Sequence, residues 1–342
     1  RGKLILNIPS ELEDVCEMGQ KVAICRNAAV VSLPWDPALF FFDLDFINKK
    51  YIKSGHSSKG ILKNKNKSHS SSSNGLKDII QIKPSVISRL HNVTITAIAM
   101  DEKYIATGSK DSTVRLWMHH CESKSYLPIK SQDPNEIQPD NNNDNTKGNT
   151  SENSNSNAPI SIFKELLKPI DVIAKHQSAV AAIAINSRLN TCFSISTDGY
   201  LMSTSLITGT FINGTHVQVI GDPISISTSD MGDVAVSMNG SIMESKISTF
   251  DQNLKPISEK ALNSLIYSTT VIPWTDGINY LVVSMRDHIT KILKLPFLED
   301  TELSIQEINH DTTVVDFDRM GNALLIGDAD GMIHSYKFDE LE

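Results

Sequence analysis

The chain is poor in the features that mark several common protein classes. Its four cysteines, Cys16, Cys25, Cys121 and Cys192, are scattered and form no Cys-x-x-Cys pair. That spacing gives neither a disulfide framework nor a zinc site, and it suits reduced thiols in a cytosolic protein. No apolar run approaches the roughly 18 residues that span a bilayer, and the sequence shows no signal-peptide pattern. Without a signal peptide, the sequons at Asn92 and Asn213 carry little weight. Basic residues are not in excess: 32 Lys and Arg stand against 40 Asp and Glu, for a net charge of −8. A dedicated nucleic-acid binder needs a basic face to neutralise phosphate, so that class is set aside. There is no Gly-rich phosphate loop of either common kind. Helical periodicity is also missing, apart from one short turn's worth at residues 162–167. The first residues, Arg1-Gly2, include no Met, and the chain is expected to be the C-terminal part of a longer polypeptide.

Two stretches interrupt the pattern. Residues 54–75 are rich in Ser, Asn and Lys, and residues 122–157 are rich in Asn, Asp and Ser. Such runs bury too little apolar surface to offset the entropy of ordering, so both are expected to be disordered inserts. Eight lysines (49, 50, 53, 59, 63, 65, 67 and 77) lie between Asp45 and Asp78 with no acid among them. They suit a weak contact with an anionic membrane, and equally a solvated low-complexity loop.

What remains is a repeat. Runs such as Val93–Met100, Tyr104–Ser109 and Thr113–Trp117 alternate or stay apolar over five to eight residues, with Lys/Asp/Gly/Ser turns between them. That pattern predicts antiparallel strands joined by tight turns. The turn around Asp111 recurs at Asp198, Asp287 and Asp330, and more weakly at Asp36 and Asn239. A spacing of about 40–45 residues, with four strands per unit, predicts an all-β propeller of four-stranded antiparallel blades. Six blades are recognisable. Seven are expected, with residues 1–20 supplying strand material for part of one more, and the whole chain, 1–342, forming one domain.

A histidine travels with the turn: His91 precedes Asp111 by 20 residues, His176 precedes Asp198 by 22, and His310 precedes Asp330 by 20. A His in the loop entering the first strand can bond the turn Asp. A Ser/Thr on the second strand and a Trp on the third can extend that network and lock the register. His91, Thr107 (or Ser109), Asp111 and Trp117 stand in that order. His176 and Asp198 keep part of it, with Thr204 at the Trp position. His310 and Asp330 keep part of it in the last unit, where Tyr336 takes the Trp place.

In this order and spacing the residues resemble the WD-repeat family. The segments at residues 34–45, 91–117 and 175–212, with the Leu206-Ile-Thr-Gly209 turn, resemble the C-terminal propeller of BEACH-domain proteins of the neurobeachin and lysosomal-trafficking-regulator group. The resemblance implies a non-catalytic interaction scaffold in vesicle or membrane trafficking, cytoplasmic and peripheral on membranes. A free-standing WD-repeat adaptor of a ubiquitin-ligase or coat complex is the alternative.

No catalytic residue is assigned. The Asp, His and Ser that would suggest a hydrolase recur three times at structural spacing, whereas catalytic sets are single. The repeats of sialidase-like propeller enzymes, Ser-x-Asp-x-Gly-x-Thr-Trp, are absent from the sequence. His119-His120-Cys121 has no second ligand cluster, so no metal is expected, nor a cofactor, small-molecule substrate or nucleic acid. Partner proteins are expected on the face carrying the turns, where the residue before each turn acid points outward: Trp35, Lys110, Thr197, Met238, Arg286 and Ala329. Trp35, Lys110 and Arg286 have the composition of a binding hot spot.

Overall fold

The computed structural model describes residues 4–6, 21–25, 28–33, 36–44, 80–82, 84–119, 167–241, 243–273, 277–286, 289–301, 312–318, 322–329 and 332–337. The regular elements among them are all β-strands. Six antiparallel sheets follow one another along the chain as the blades of a β-propeller. Blade 1 comprises Lys21–Cys25, Ala28–Ser32, Leu39–Asp43 and Val86–Ser88. Blade 2 comprises Ile95–Met100, Tyr104–Ser109, Thr113–His119 and Leu167–Lys175; blade 3 comprises Val180–Asn186, Thr191–Ser196, Tyr200–Ser205 and Phe211–His216. Blade 4 holds Gly221–Thr228, Val234–Gly240, Ser245–Phe250 and Pro256–Leu262, and blade 5 holds Ile266–Pro273, Asn279–Met285, Thr290–Lys294 and Glu299–Asp300. Blade 6 shows three strands among the described residues: Thr312–Asp318, Ala323–Asp328 and Ile333–Lys337. Strands of a seventh blade are not among them. From the first twenty residues, Leu4–Leu6 pairs in parallel with Ile80–Ile82, outside the six blades. Both inserts lie outside the described residues.

The second strand of each blade explains why the sequence alternates so weakly there. Ala28–Ser32, Tyr104–Ser109 and Thr191–Ser196 are buried at every position, and the sheets of blades 2 and 3 are covered on both faces by their neighbours. The core is therefore a series of blade-to-blade layers. Leu39 and Phe41 of blade 1 pack on Ile105 and Trp117 of blade 2, while Val114 and Leu116 of blade 2 pack on Val180 and Ile183 of blade 3. Phe193 and Ile195 meet Val234 and Val236; Ala235 and Ile247 meet Leu281 and Val283; Val282 and Ile292 meet Leu324 and Ile326. Each such side chain contributes about 1.5–3 kcal/mol on leaving water. Close approach is also enforced: a Cβ on Gly108 would lie 2.4 Å from Val180 Cγ1, so glycine is needed where blades 2 and 3 meet.

Polar side chains tie consecutive innermost strands together. The Thr96 hydroxyl donates to the Val180 carbonyl. Asn186 Nδ2 donates to Ser229 O at 2.7 Å, Ser227 Oγ to Thr269 O at 2.9 Å, and Ser268 Oγ to Val315 O at 3.3 Å. All of these side chains are wholly or partly buried, and each satisfies a carbonyl of the next sheet.

Candidate functional site

The turns between second and third strands and the links into each first strand share one face of the propeller. In blade 2 that face is organised by four side chains. His91 Nδ1 lies 3.0 Å from Asp111 Oδ2, and His91 Nε2 lies 2.8 Å from Thr107 Oγ1. Trp117 Nε1 donates to the same Thr107 oxygen at 3.0 Å. With a neutral imidazole carrying its proton on Nδ1, the chain runs Trp117 to Thr107 to His91 to Asp111, each donor meeting an acceptor. Thr107, not Ser109, is the hydroxyl member. Ser109 Oγ instead donates to Val93 O and accepts the Asp111 N–H, both at 3.1 Å.

Electrostatics follow from this geometry. Burial pushes the Asp111 carboxyl up, but the Thr113 hydroxyl, the Asn92 N–H, His91 and the Thr113 N–H all donate to it and together hold it at about 2. Burial lowers the proton affinity of His91 despite the pull of Asp111, which keeps the ring neutral at pH 7.

The other blades depart from this plan. In blade 3, His176 Nε2 meets Ser194 Oγ at 2.8 Å, but no hydrogen bond joins His176 to Asp198. The Asp198 carboxylate takes the Ser196 hydroxyl instead. Thr204, buried at the Trp position, directs its hydroxyl to Cys192 O at 3.4 Å. In blade 6, His310 and Asp330 lie outside the described residues, and Tyr336 packs beside the blade 5 contact. There a pair that sequence reading missed is present: His334 Nε2 lies 2.8 Å from the fully buried Asp328 carboxylate, which also accepts the Met332 N–H at 2.8 Å. The signal was available in Asp328, two residues before Asp330, and in a His on the following strand.

Blade 4 corrects two expectations. Asn239 is not a turn residue but part of the second strand, and Met238, expected to point outward, is fully buried between blades 3 and 4. The Asn239 amide bonds the blade 5 backbone in both directions, donating to Ile266 O at 2.8 Å and accepting from Ile266 N–H at 2.9 Å. An inter-blade clamp thus stands where blade 2 has its internal one.

The face itself is regular. Lys110, Thr197 and Arg286 each donate a backbone N–H to the residue immediately before the first strand of their blade: to Thr94 O at 3.1 Å, Ala179 O at 2.9 Å and Leu265 O at 2.8 Å. Anchored in this way, their side chains stand exposed. Arg286 Nη1 rests 3.7 Å from the Met243 sulfur, and the equivalent turns of blades 5 and 6 expose Ile289 (41%) and Met332 (60%). In blade 1, Asp36 caps the Ala38 N–H at 2.9 Å and meets Arg89 at 3.3 Å; Trp35 lies outside the described residues.

A protein-family model, WD domain, G-beta repeat, matches residues 85–118. Residues 85–118 are a WD40 repeat. The match spans the outer strand of blade 1, Val86–Ser88, and the first three strands of blade 2, and includes His91, Thr107, Asp111 and Trp117. No curated protein matches the chain. Among solved structures, the computationally designed Ika8 protein is similar over 94% of this chain and 71% of its own, at 14% identity and a TM-score of 0.51. That likeness concerns the fold alone. Among the described residues, no three His, Cys, Asp or Glu side chains are grouped as a metal would require, and no helix is long and apolar enough to cross a membrane.

Proposed function

We propose that this chain is a non-catalytic scaffold, one propeller domain that binds other proteins through the face bearing Lys110, Thr197 and Arg286. The supporting observation is the shared backbone anchoring of these three residues, which holds their side chains outward at equivalent points of blades 2, 3 and 5. An exposed Arg flanked by Met243, on rigid turns, has the make-up of an interface hot spot. Trp35 belongs to the same proposed surface on sequence grounds. A WD40 repeat within a propeller fits this reading, and neither a cofactor nor a small-molecule substrate is part of it.

The test compares proteins retained from a lysate of the source organism by wild type, by Lys110→Glu combined with Arg286→Ala, and by Met231→Ala on the opposite face. The double variant is expected to lose its partners about tenfold, as one hot-spot contact implies, while Met231→Ala retains them. Equal retention by all three proteins would refute the assignment of this face.

The finer reading is that the propeller belongs to a BEACH-type protein acting in vesicle or membrane trafficking in the cytoplasm. Its support is the resemblance of residues 91–117 and 175–212. A free-standing adaptor in a ubiquitin-ligase or coat complex is the second reading. A coding sequence with no BEACH domain upstream of Arg1 would decide for it. The lysine-rich stretch 49–77 adds a weak contact with anionic membrane in this proposal. Co-sedimentation with phosphatidylserine vesicles is expected at low salt, to be lost on raising salt or deleting residues 54–75. Binding that ignores both would refute the contact.

A further inference from the structure

The two neighbouring histidines on the propeller face are placed alike and bonded differently. His91 uses both ring nitrogens. His176, 92% buried, uses Nε2 on Ser194, while its Nδ1 is buried with no partner. Whichever tautomer it adopts, one polar atom of that ring goes unsatisfied, and a protein seldom tolerates this without cause. The acceptor that would complete it is close at hand. Asp198 occupies the turn position of Asp111, yet its carboxylate is held by the Ser196 hydroxyl, two residues back.

We infer that His176 and Asp198 form a proton-driven latch: when His176 takes up a proton, Asp198 leaves Ser196 and accepts a hydrogen bond from Nδ1–H, giving blade 3 the closed arrangement that blade 2 holds permanently. The proton comes from solvent and resides on the imidazole; no other bond is made or broken.

The surroundings suit two states. His176 sits on the link between blades 2 and 3, where its N–H donates to Ser112 O of the blade 2 turn at 2.8 Å. Asp198 is the charge acting on the ring, and its pull opposes burial, which favours the neutral form. From the third strand Tyr200 meets His176 edge-on at 6.3 Å, and His216 of the outer strand stacks on the far side of Tyr200 at 4.9 Å. On the blade 2 side, the Asp111 carboxylate is already engaged by His91, and Lys175 precedes His176 in the chain. The turn carrying Asp198 is secured by Ser178, whose hydroxyl accepts from Asp198 N–H at 3.2 Å and from the Thr197 hydroxyl at 3.1 Å. Latching therefore adds a bond across a turn that already stays in place, and needs only a side-chain rotation.

The test follows His176 ring nitrogens and the Asp198 carboxyl carbon by NMR from pH 8 to 4.5 in the intact chain. In wild type the Asp198 signal is expected to move with the His176 midpoint and not only in a carboxylate titration of its own. Ser196→Ala removes the strongest of the donors on Asp198, leaving the Ser178 hydroxyl and the Tyr200 N–H, and is expected to raise the His176 midpoint by about 1 pH unit; Asp198→Asn is expected to lower it. An Asp198 signal that stays flat through the His176 titration overturns the latch, as does a midpoint unchanged in Ser196→Ala. The wild-type experiment stands alone if either variant folds poorly.

Discussion

Trp117→Ala is expected to destabilise the fold by about 3–5 kcal/mol, the range for deleting a buried aromatic. The indole is 1% exposed and fills the layer between blades 1 and 2, against Leu39, Phe41, Ile105 and Leu167. Its Nε1–H also feeds Thr107, so truncation costs both volume and a buried hydrogen bond. Trp117→Phe separates the two effects. It keeps much of the packing and removes the donor, and should cost on the order of 1 kcal/mol beyond the change in volume. Urea denaturation of the three proteins measures this. Equal midpoints for wild type and Trp117→Phe would show that the Thr107 contact contributes nothing.

Asp111→Ala is the second large effect, at about 1–3 kcal/mol. It strips acceptors from Asn92, Thr113 and the buried His91, whereas Asp198→Ala at the matching place leaves no histidine without a partner it now has. The fall in Tm should therefore be clearly larger for Asp111→Ala, and a comparable fall in both would contradict a stabilising role for the blade 2 network. The pH dependence follows in sign. The Asp111 carboxyl, held at about 2 in the folded state against an ordinary 3.8, contributes stability above pH 3.8 that is lost as pH falls toward 2. His91 and His176 have lowered proton affinity when folded, so the unfolded chain takes up protons first, and stability declines as pH falls below about 6.5. Asp111→Ala should abolish the most acidic part of that profile, while the part below about 6.5 persists, because burial lowers the proton affinity of both His176 and His91 and Asp111 only opposes it at His91.

The blade 2 network was legible because its members lie within 27 residues and each residue type serves a distinct hydrogen-bonding role. The blade repeat was legible for a similar reason: short strands and tight turns are local. Register was not. Asn239-Gly240 carries the strongest short hairpin signal, yet both residues sit inside the second strand, opposite Asp222 and Gly221. What displaces it is an interaction with another sheet, the Asn239 clamp on Ile266, which no local pattern encodes. Blade 6 failed differently. Asp328 and Asp330 stand two residues apart in the sequence, and burial, which sequence does not report, makes Asp328 the partner of His334. In blade 3 the types and spacing were right, and a neighbouring serine diverted the carboxylate.

The ties between innermost strands bear on how the molecule would come apart. Thr96, Asn186, Ser227 and Ser268 fasten each sheet to the next by its inner edge, while the outer strands Phe211–His216 and Pro256–Leu262 are largely exposed. Fracture lines should then run through the sheets, between third and outer strands, and not between one blade and the next. Slowly exchanging amides would trace a continuous inner hoop across blades 2 to 6, with protease nicks collecting along the periphery.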